Sequence, residues 1–403
     1  MAKPMVLRKL GWNVKFGLAK LLIGNKANAP HFAFVGVDAS RQLCQRIIES
    51  GHSKVLVVTD APLRELGLVD RAIELLAQSG VELHWYDGVQ PDPTFEQVIE
   101  GARVLRGTGC TAVVAVGGGS SMDAAKIISA SLEADADPRA WIGFNKAPEV
   151  AAPLYAIPTT AGTGSEATMG AVITDEHDQS KNVIGGAALL PRAVALEAAL
   201  MTGLPPHITA ATGLDALTHG IEAYLGQWDR GSRTETALMA IRGVFRWLPV
   251  AMAEPTNLEA RQGMALAAYY GGVAINQVNV GAVHAIAHQL GARYHIPHGV
   301  ANAMVLPHVL RLYGSCIETR LAALAPLIGV DTTGGAATTA TRVIDAIESL
   351  RHAVGLPGTS DAINVLDFGQ LIEAALTESD GYFSPRLVTE AEIESVLRKI
   401  TAS

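Results

Sequence analysis

Short apolar runs alternate with helical stretches through the first half of this 403-residue chain. KVLVVTD (54–60), VELHWYDGV (81–89), AVVAVGGGSS (112–121) and LYAIPTTAGTGSEAT (154–168) read as strands, the last two running out into polar turns. FEQVIEGARVLRGTG and MDAAKIISASLEA, lying between them, carry helical periods. Strands alternating with helices specify a parallel sheet covered by helices on both faces. From about residue 205 only helical periods remain, broken at Gly271–Gly272, IPHG, TTGG and GLPG. The pattern therefore predicts an α/β domain over 1–204 and an all-α domain over 205–403.

One helical stretch breaks the expected division of polar and apolar faces. In GLDALTHGIEAYLG (213–226), Leu214, Leu217, Ile221 and Tyr224 form an apolar stripe, while Asp215, His219 and Glu222 share another at i, i+4 and i+7. A carboxylate and an imidazole in an otherwise apolar helix need a reason to be there.

Composition narrows the classes. Hydrophobic residues make up 49% and charged ones 17%, with 40 glycines, which fits a compact enzyme and not a disordered chain. The net charge of −8 disfavours a nucleic-acid partner. The three cysteines, Cys44, Cys110 and Cys316, have no metal spacing and suggest a reducing, cytoplasmic setting. The longest stretch without Asp, Glu, Lys or Arg, 262–292, is interrupted by Asn276, Gln277, Asn279, His284 and His288, so it reads as core helices and no membrane span is expected. Residues 1–37 hold six Lys or Arg and no acid. Residues 1–30 are read as a basic N-terminal extension, an amphipathic helix on the protein's own surface, with membrane contact or targeting as the alternative.

In VVAVGGGSSMDAAK a strand runs into Gly117, Gly118 and Gly119, then Ser120 and Ser121, then a helix carrying Asp123. Glycines admit close approach of a phosphate, and the helix start offers free N–H groups. The plain alternative is a strand-to-helix turn. Asp60, at the end of an earlier strand, suits ribose hydroxyls and would repel a 2′-phosphate, favouring NAD; it also reads as a turn residue before Ala61-Pro62. Thr159, Thr160 and Thr163 in PTTAGTGSEAT offer hydroxyls beyond a strand's carboxyl end, where open sheets bind ligands.

Five of the 12 histidines lie between 284 and 308, with His284 and His288 at i, i+4 and His298 after a short connection. Taken singly, Asp215 is also readable as the partner of a capping box opened by Thr212, and His219 as a core histidine. Together, Asp215, His219, His284, His288 and His298 are five oxygen and nitrogen ligands for what is expected to be a four-ligand divalent-metal site. Spacing alone leaves open which one is spare.

VGGGSSMDAAK, PTTAGTGSEAT, TGLDALTHGIEAY and VHAIAHQLGARYHIPHGVANAMVLPHV, in this order, resemble the iron-containing (group III) alcohol dehydrogenases from about residue 30 onward. The resemblance implies a dinucleotide-binding α/β domain and a metal-binding helical domain. It implies Asp215, His219, His284 and His298 as metal ligands and His288 as the proton-relaying catalytic group. It also implies NAD held by Asp60, the glycine turn, Asp123, Thr159, Thr160 and Thr163, with Lys181 a further nucleotide contact. The implied activity is hydride transfer between an alcohol or diol and NAD, with Fe2+, or Zn2+ as the alternative, in a homodimer. The rivals are a hydroxyacid–oxoacid transhydrogenase, a zinc polyol dehydrogenase of the glycerol type, a dehydroquinate-synthase-type lyase and a nucleotide-binding structural subunit. Departures fall at Ile275, Gln277 and Asn279, expected to line the substrate pocket, at Glu197-Ala198, at Gly36-Val37-Asp38, and at Ser384 where the family carries Asn.

Overall fold

A computed structural model describes residues 5, 8–9, 11–14, 32–134, 136–227 and 232–402, with only the backbone described at 232, 233, 277 and 278. Most of the basic N-terminal extension lies outside the described residues.

The chain forms two compact units, one of them Ala29–Leu204 with Pro255–Gly272. This unit opens with β1 (Phe32–Val35), α1 (Ala39–Glu49), β2 (Lys54–Val58), the short helices α2 (Ala61–Glu65), α3 (Leu68–Ala72) and α4 (Glu74–Gln78), and β3 (Glu82–Tyr86). It continues through α5 (Phe95–Thr108), β4 (Ala112–Gly117), α6 (Gly119–Ala130), β5 (Gly143–Phe144), β6 (Leu154–Pro158), β7 (Gly170–Thr174), β8 (Lys181–Gly185) and β9 (Ala193–Leu196). Six strands make a wholly parallel sheet in the order β1-β9-β6-β4-β2-β3. β4 is buried along its whole length, as its unbroken apolar run requires of a strand covered on both faces. Val55, Val57, Val114, Val116, Ile157 and Ala195 carry one face of the sheet into a core shared with Leu43 and Ile47 of α1. Each such side chain contributes about 1.5–3 kcal/mol on burial.

The chain steps from β2 outward to β3, then reverses to β4 on the other side of β2. That reversal is a topological switch point, and an open parallel sheet binds ligands beyond the carboxyl ends of the strands flanking it. Asp60 follows β2 there, and Gly117–Gly119 end β4.

Five strands are not read from the apolar pattern. β1 and β9 lie at one side of the main sheet, and β5, β7 and β8 form a separate small sheet with an antiparallel β7–β8 pair. All five are short, two to five residues; β5, β7 and β8 carry glycine or polar residues that break the run, whereas β1 (FAFV) and β9 (AVAL) are apolar and were overlooked.

The second unit comprises Met1–Asn28, Pro205–Glu254 and Val273–Ser403. The helices here are α7 (Pro206–Leu225), α8 (Ser232–Ala253), α9 (Leu258–Val278), α10 (Ala282–Tyr294), α11 (His298–Tyr313), α12 (Glu318–Ala322), α13 (Gly335–Ala353), α14 (Phe368–Ser379) and α15 (Glu390–Ile400). The grouping differs from a cut at 204/205, because 255–272, the first part of α9 included, packs with the α/β unit. There, Gln262 Nε2 donates to Leu196 O at 3.0 Å. The stretch 262–292 is two helices, with Asn279 in the left-handed region at φ 66° between them. Among the described residues one helix, Thr234–Ala253, could cross a membrane by length and composition; it packs on α7. α15 opens with a full capping box between Thr389 and Glu392.

Candidate metal centre and nucleotide turn

α7 begins at Pro206, so Thr212 is no N-cap; its hydroxyl donates to Ile208 O at 2.8 Å in mid-helix. The capping-box reading of Asp215 is therefore wrong. The helix is buried on nearly all sides over 213–222, and Asp215 and His219 are 2% and 4% exposed. α10 brings His284, and the first residue of α11 brings His298, which is a third exposed. One ligand atom each from Asp215, His219, His284 and His298 lies within 4.8 Å of all the others. Asp215 Oδ1 stands 3.7 Å from His219 Nε2, 3.7 Å from His284 Nε2 and 3.4 Å from His298 Nε2. Ligands about 2.1 Å from a tetrahedral metal are separated by about 3.4 Å, so the spacing fits a first-row divalent cation.

The electrostatics point the same way. Burial would raise the Asp215 carboxyl, but the imidazoles of His219 and His298 drive it well below its ordinary value. Burial would lower His284, but hydrogen bonds and charge from Asp215 and Glu222 hold it up at about 9. Asp215 is thus held as a carboxylate among the imidazoles, whereas burial lowers His298. Asn302, fully buried one turn along α11 from His298, points its amide nitrogen into the same space. That nitrogen lies 2.8 Å from Asp215 Oδ1 and 3.1 Å from the Nε2 atoms of His284 and His298, while its Oδ1 has no partner.

Glu222 stands behind the cage. Its carboxylate faces His284 Nδ1 at 2.6 Å and accepts the Gly281 and Val283 N–H groups at 2.8 Å. A carboxylate on the far ring nitrogen orients a ligand histidine and leaves Nε2 to face the metal. Gly281 is required here, since a Cβ on it would lie 2.6 Å from Glu222 Oε1. His288 is turned to another partner: its Nδ1 meets Glu378 Oε1 at 2.5 Å, and its ring stacks on His298 at 5.2 Å. The sequence pattern placed Glu222 on the polar stripe but assigned it no role. Asn302 and Glu378 were missed, although the i, i+4 spacing of His298 and Asn302 was visible.

In the α/β unit, Gly118 is the N-cap of α6, and Ser120 and Ser121 fall in its first turn. Gly119 has a local reason to be glycine: a Cβ would lie 2.6 Å from Thr163 Cγ2. Thr159 N–H donates to Gly117 O at 2.9 Å, so the threonine loop and the glycine turn are tied together. Thr160 and Thr163 are half-buried beside the turn. Asp60 caps α2, accepting the Leu63 N–H at 2.9 Å, and its half-buried carboxyl is raised by burial against a Ser121 hydrogen bond.

Asp123 and Lys181 both have partners within the protein. Asp123 accepts Ser165 Oγ at 2.5 Å and the Val172 N–H at 2.9 Å. The fully buried Lys126 donates to Ser165 Oγ at 2.6 Å, Thr168 Oγ1 at 3.0 Å and Gly170 O at 2.5 Å. Both side chains therefore hold the polar loop to α6. Lys181 pairs with Asp92. Ile275 and Asn279 flank the α9–α10 break, where Asn279 Oδ1 accepts the Val280 N–H at 2.9 Å; the Gln277 side chain lies outside the described residues.

Residues 30–198 match the family "Iron-containing alcohol dehydrogenase", and 209–401 match "Fe-containing alcohol dehydrogenase family, C-terminal". The chain belongs to the iron-containing alcohol dehydrogenase family. Within it, the chain is 37% identical to the 1,3-propanediol dehydrogenase of Klebsiella pneumoniae, over 92% of this chain and 97% of that one. It is 34% identical to the NAD-dependent methanol dehydrogenase of Bacillus methanolicus, over 92% and 98%. The crystal structure of a 1,3-propanediol oxidoreductase, 37% identical, superposes with a TM-score of 0.89 over 92% of this chain and 98% of that one. As an iron-containing alcohol dehydrogenase, the chain is a metal-dependent, NAD-linked oxidoreductase with an α/β unit and a helical unit.

Proposed function

We propose that the protein interconverts a short primary alcohol or diol and its aldehyde with NAD, and that Asp215, His219, His284 and His298 hold its divalent metal. The convergence of those four ligand atoms carries the reading, and the fit of their separations to a tetrahedral site supports it. The relatives named for 1,3-propanediol and methanol favour a small substrate. A cation in the cage, Fe2+ or alternatively Zn2+, supplies Lewis acidity toward the substrate oxygen.

The chain's own residues do the rest. Glu222 fixes the His284 ring. His288, with Nδ1 held by Glu378, keeps Nε2 to take the hydroxyl proton in oxidation and return it in reduction. NAD+, when bound, would accept the alcohol's carbon-bound hydrogen as hydride, so that alcohol and NAD+ would give a carbonyl, NADH and a proton. The α6 N-terminus with Gly117–Gly119, Ser120 and Ser121 receives the pyrophosphate, Asp60 the adenosine ribose, and Thr159, Thr160 and Thr163 the nicotinamide half.

We further propose a homodimer in a reducing, cytoplasmic compartment. β1 at the sheet edge exposes Phe32 at 65% and Val35 at 44%, and the three thiols form no disulfide among the described residues.

The test is metal analysis of anaerobically purified protein, paired with NADH formation from short alcohols and diols with NAD and NADP. About one Fe or Zn per chain with NAD-linked turnover is expected. Stoichiometric metal and bound NAD without turnover on any alcohol would favour the transhydrogenase reading. No metal after reconstitution would overturn the ligand assignment.

A further inference from the structure

The family match begins at residue 30, so the basic N-terminal segment stands outside it. Its described residues are nevertheless anchored at one point of the helical unit. The Arg8 guanidinium, 6% exposed, makes a two-pronged ion pair with Asp380, Nε to Oδ2 at 2.8 Å and Nη2 to Oδ1 at 2.6 Å. Trp12 Nε1 donates to Tyr382 O at 2.9 Å. Both anchors fall on the turn that closes α14.

That turn also carries the groups facing His288. Glu378 Oε1 meets His288 Nδ1 at 2.5 Å and accepts the Tyr382 hydroxyl at 2.6 Å, and Glu378 Oε2 accepts Gln289 Nε2 at 2.8 Å. Tyr382 belongs to both sets: its carbonyl is held by Trp12 and its hydroxyl holds Glu378. A bidentate guanidinium–carboxylate pair fixes direction as well as distance, which a single long cation would not.

We propose that Glu378 is the positioning residue of His288, and that Arg8 and Trp12 strap its turn in place. A carboxylate on Nδ1 sets the ring's orientation and tautomer and leaves Nε2 available. The strap keeps that carboxylate from moving with the turn. The proposal rests on the reading of His288 as the proton carrier.

The experiment compares purified, metal-loaded Arg8→Glu, Asp380→Arg and their double variant with Glu378→Ala, Glu378→Gln and His288→Ala. The readouts are kcat, KM for alcohol and NAD, metal content and Tm. Glu378→Ala is expected to lower kcat about 10–100-fold with metal content and the KM for NAD unchanged. Glu378→Gln, which keeps an acceptor for Nδ1–H, recovers part of the loss. Either charge reversal lowers kcat roughly 5-fold or more, and the double variant restores it. In the His288→Ala background none of these substitutions lowers kcat further. An unchanged kcat in Arg8→Glu, or no recovery in the double variant, overturns the strap. Full kcat in Glu378→Ala when His288→Ala is impaired overturns the positioning role alone. Full kcat in His288→Ala overturns the reading of His288 and the proposal with it.

Discussion

Both units bury charge, and they do so in opposite ways. In the helical unit, Asp215 and three imidazoles point their acceptors at a common space, and the nearest protein donor is the neutral amide of Asn302. In the α/β unit, Lys126 brings its own cation to Asp123, Ser165, Thr168 and Gly170, and the set closes on itself. Convergent carboxylate and imidazole groups, with no lysine or arginine among them, make a site for a metal cation. A closed set, equally buried, makes a scaffold. Burial of charge alone does not distinguish the two; the direction of the lone pairs does.

The largest effect should come from opening the metal centre. Asp215→Ala removes the only carboxylate of the quartet, and metal stoichiometry by elemental analysis should fall to near zero together with NADH formation. If Lys126→Met did the same with Asp215 intact, the contrast between the units would fail. Lys126→Met is instead expected to lower stability by about 1–3 kcal/mol, because Ser165, Thr168 and the Gly170 carbonyl lose a buried donor. Denaturant titration would read this, with metal content per folded chain unchanged. Glu222→Gln should weaken metal binding about 10–100-fold in competition with a chelator while the fold persists.

The smallest effect concerns Glu166, buried beside Lys126 and pushed up to about 7 chiefly by burial. Its pKa in the folded protein lies above the unfolded value, so folding favours its protonated form. The stability this gives is full below about pH 4.5 and is lost as pH rises toward 7. Glu166→Gln should flatten that slope in Tm measured from pH 5 to 8, and should be at least as stable as the parent at pH 8. A steeper slope in the variant would contradict the assignment.

Much of this was legible along the chain, for physical reasons. Strands β4 and β6, and β2 after Lys54, are apolar runs because both faces are covered, and the glycine turn stands out because Gly117–Gly119 lead into a helix. Asp215, His219 and His284 stand out because a polar group in an apolar helix is costly without a partner. The two-residue β5 and the Lys181–Asp92 pair carry no such signal, since pairing across 89 positions leaves no local period. Asp123 illustrates a different limit. The resemblance implies a nucleotide contact for it, and its hydrogen bonds to Ser165 and Val172 carry no signal along the chain.

The interleaving of the two units bears on how the chain is made. The α/β unit includes Pro255–Gly272, which leaves the ribosome only after α7 and α8 have been synthesised. A close approach of Gly272 to Gly164, with Gln262 on Leu196 O, is part of finishing that unit. These contacts span 108 positions for Gly164–Gly272 and 66 for Leu196–Gln262, and such long-range closures are slow to form. The nascent chain must keep a sheet of six parallel strands waiting, its docking surface for 255–272 bare, while fifty residues of the other unit emerge. A fragment ending at 204 is therefore expected to aggregate where the full chain folds, which light scattering on the two would read.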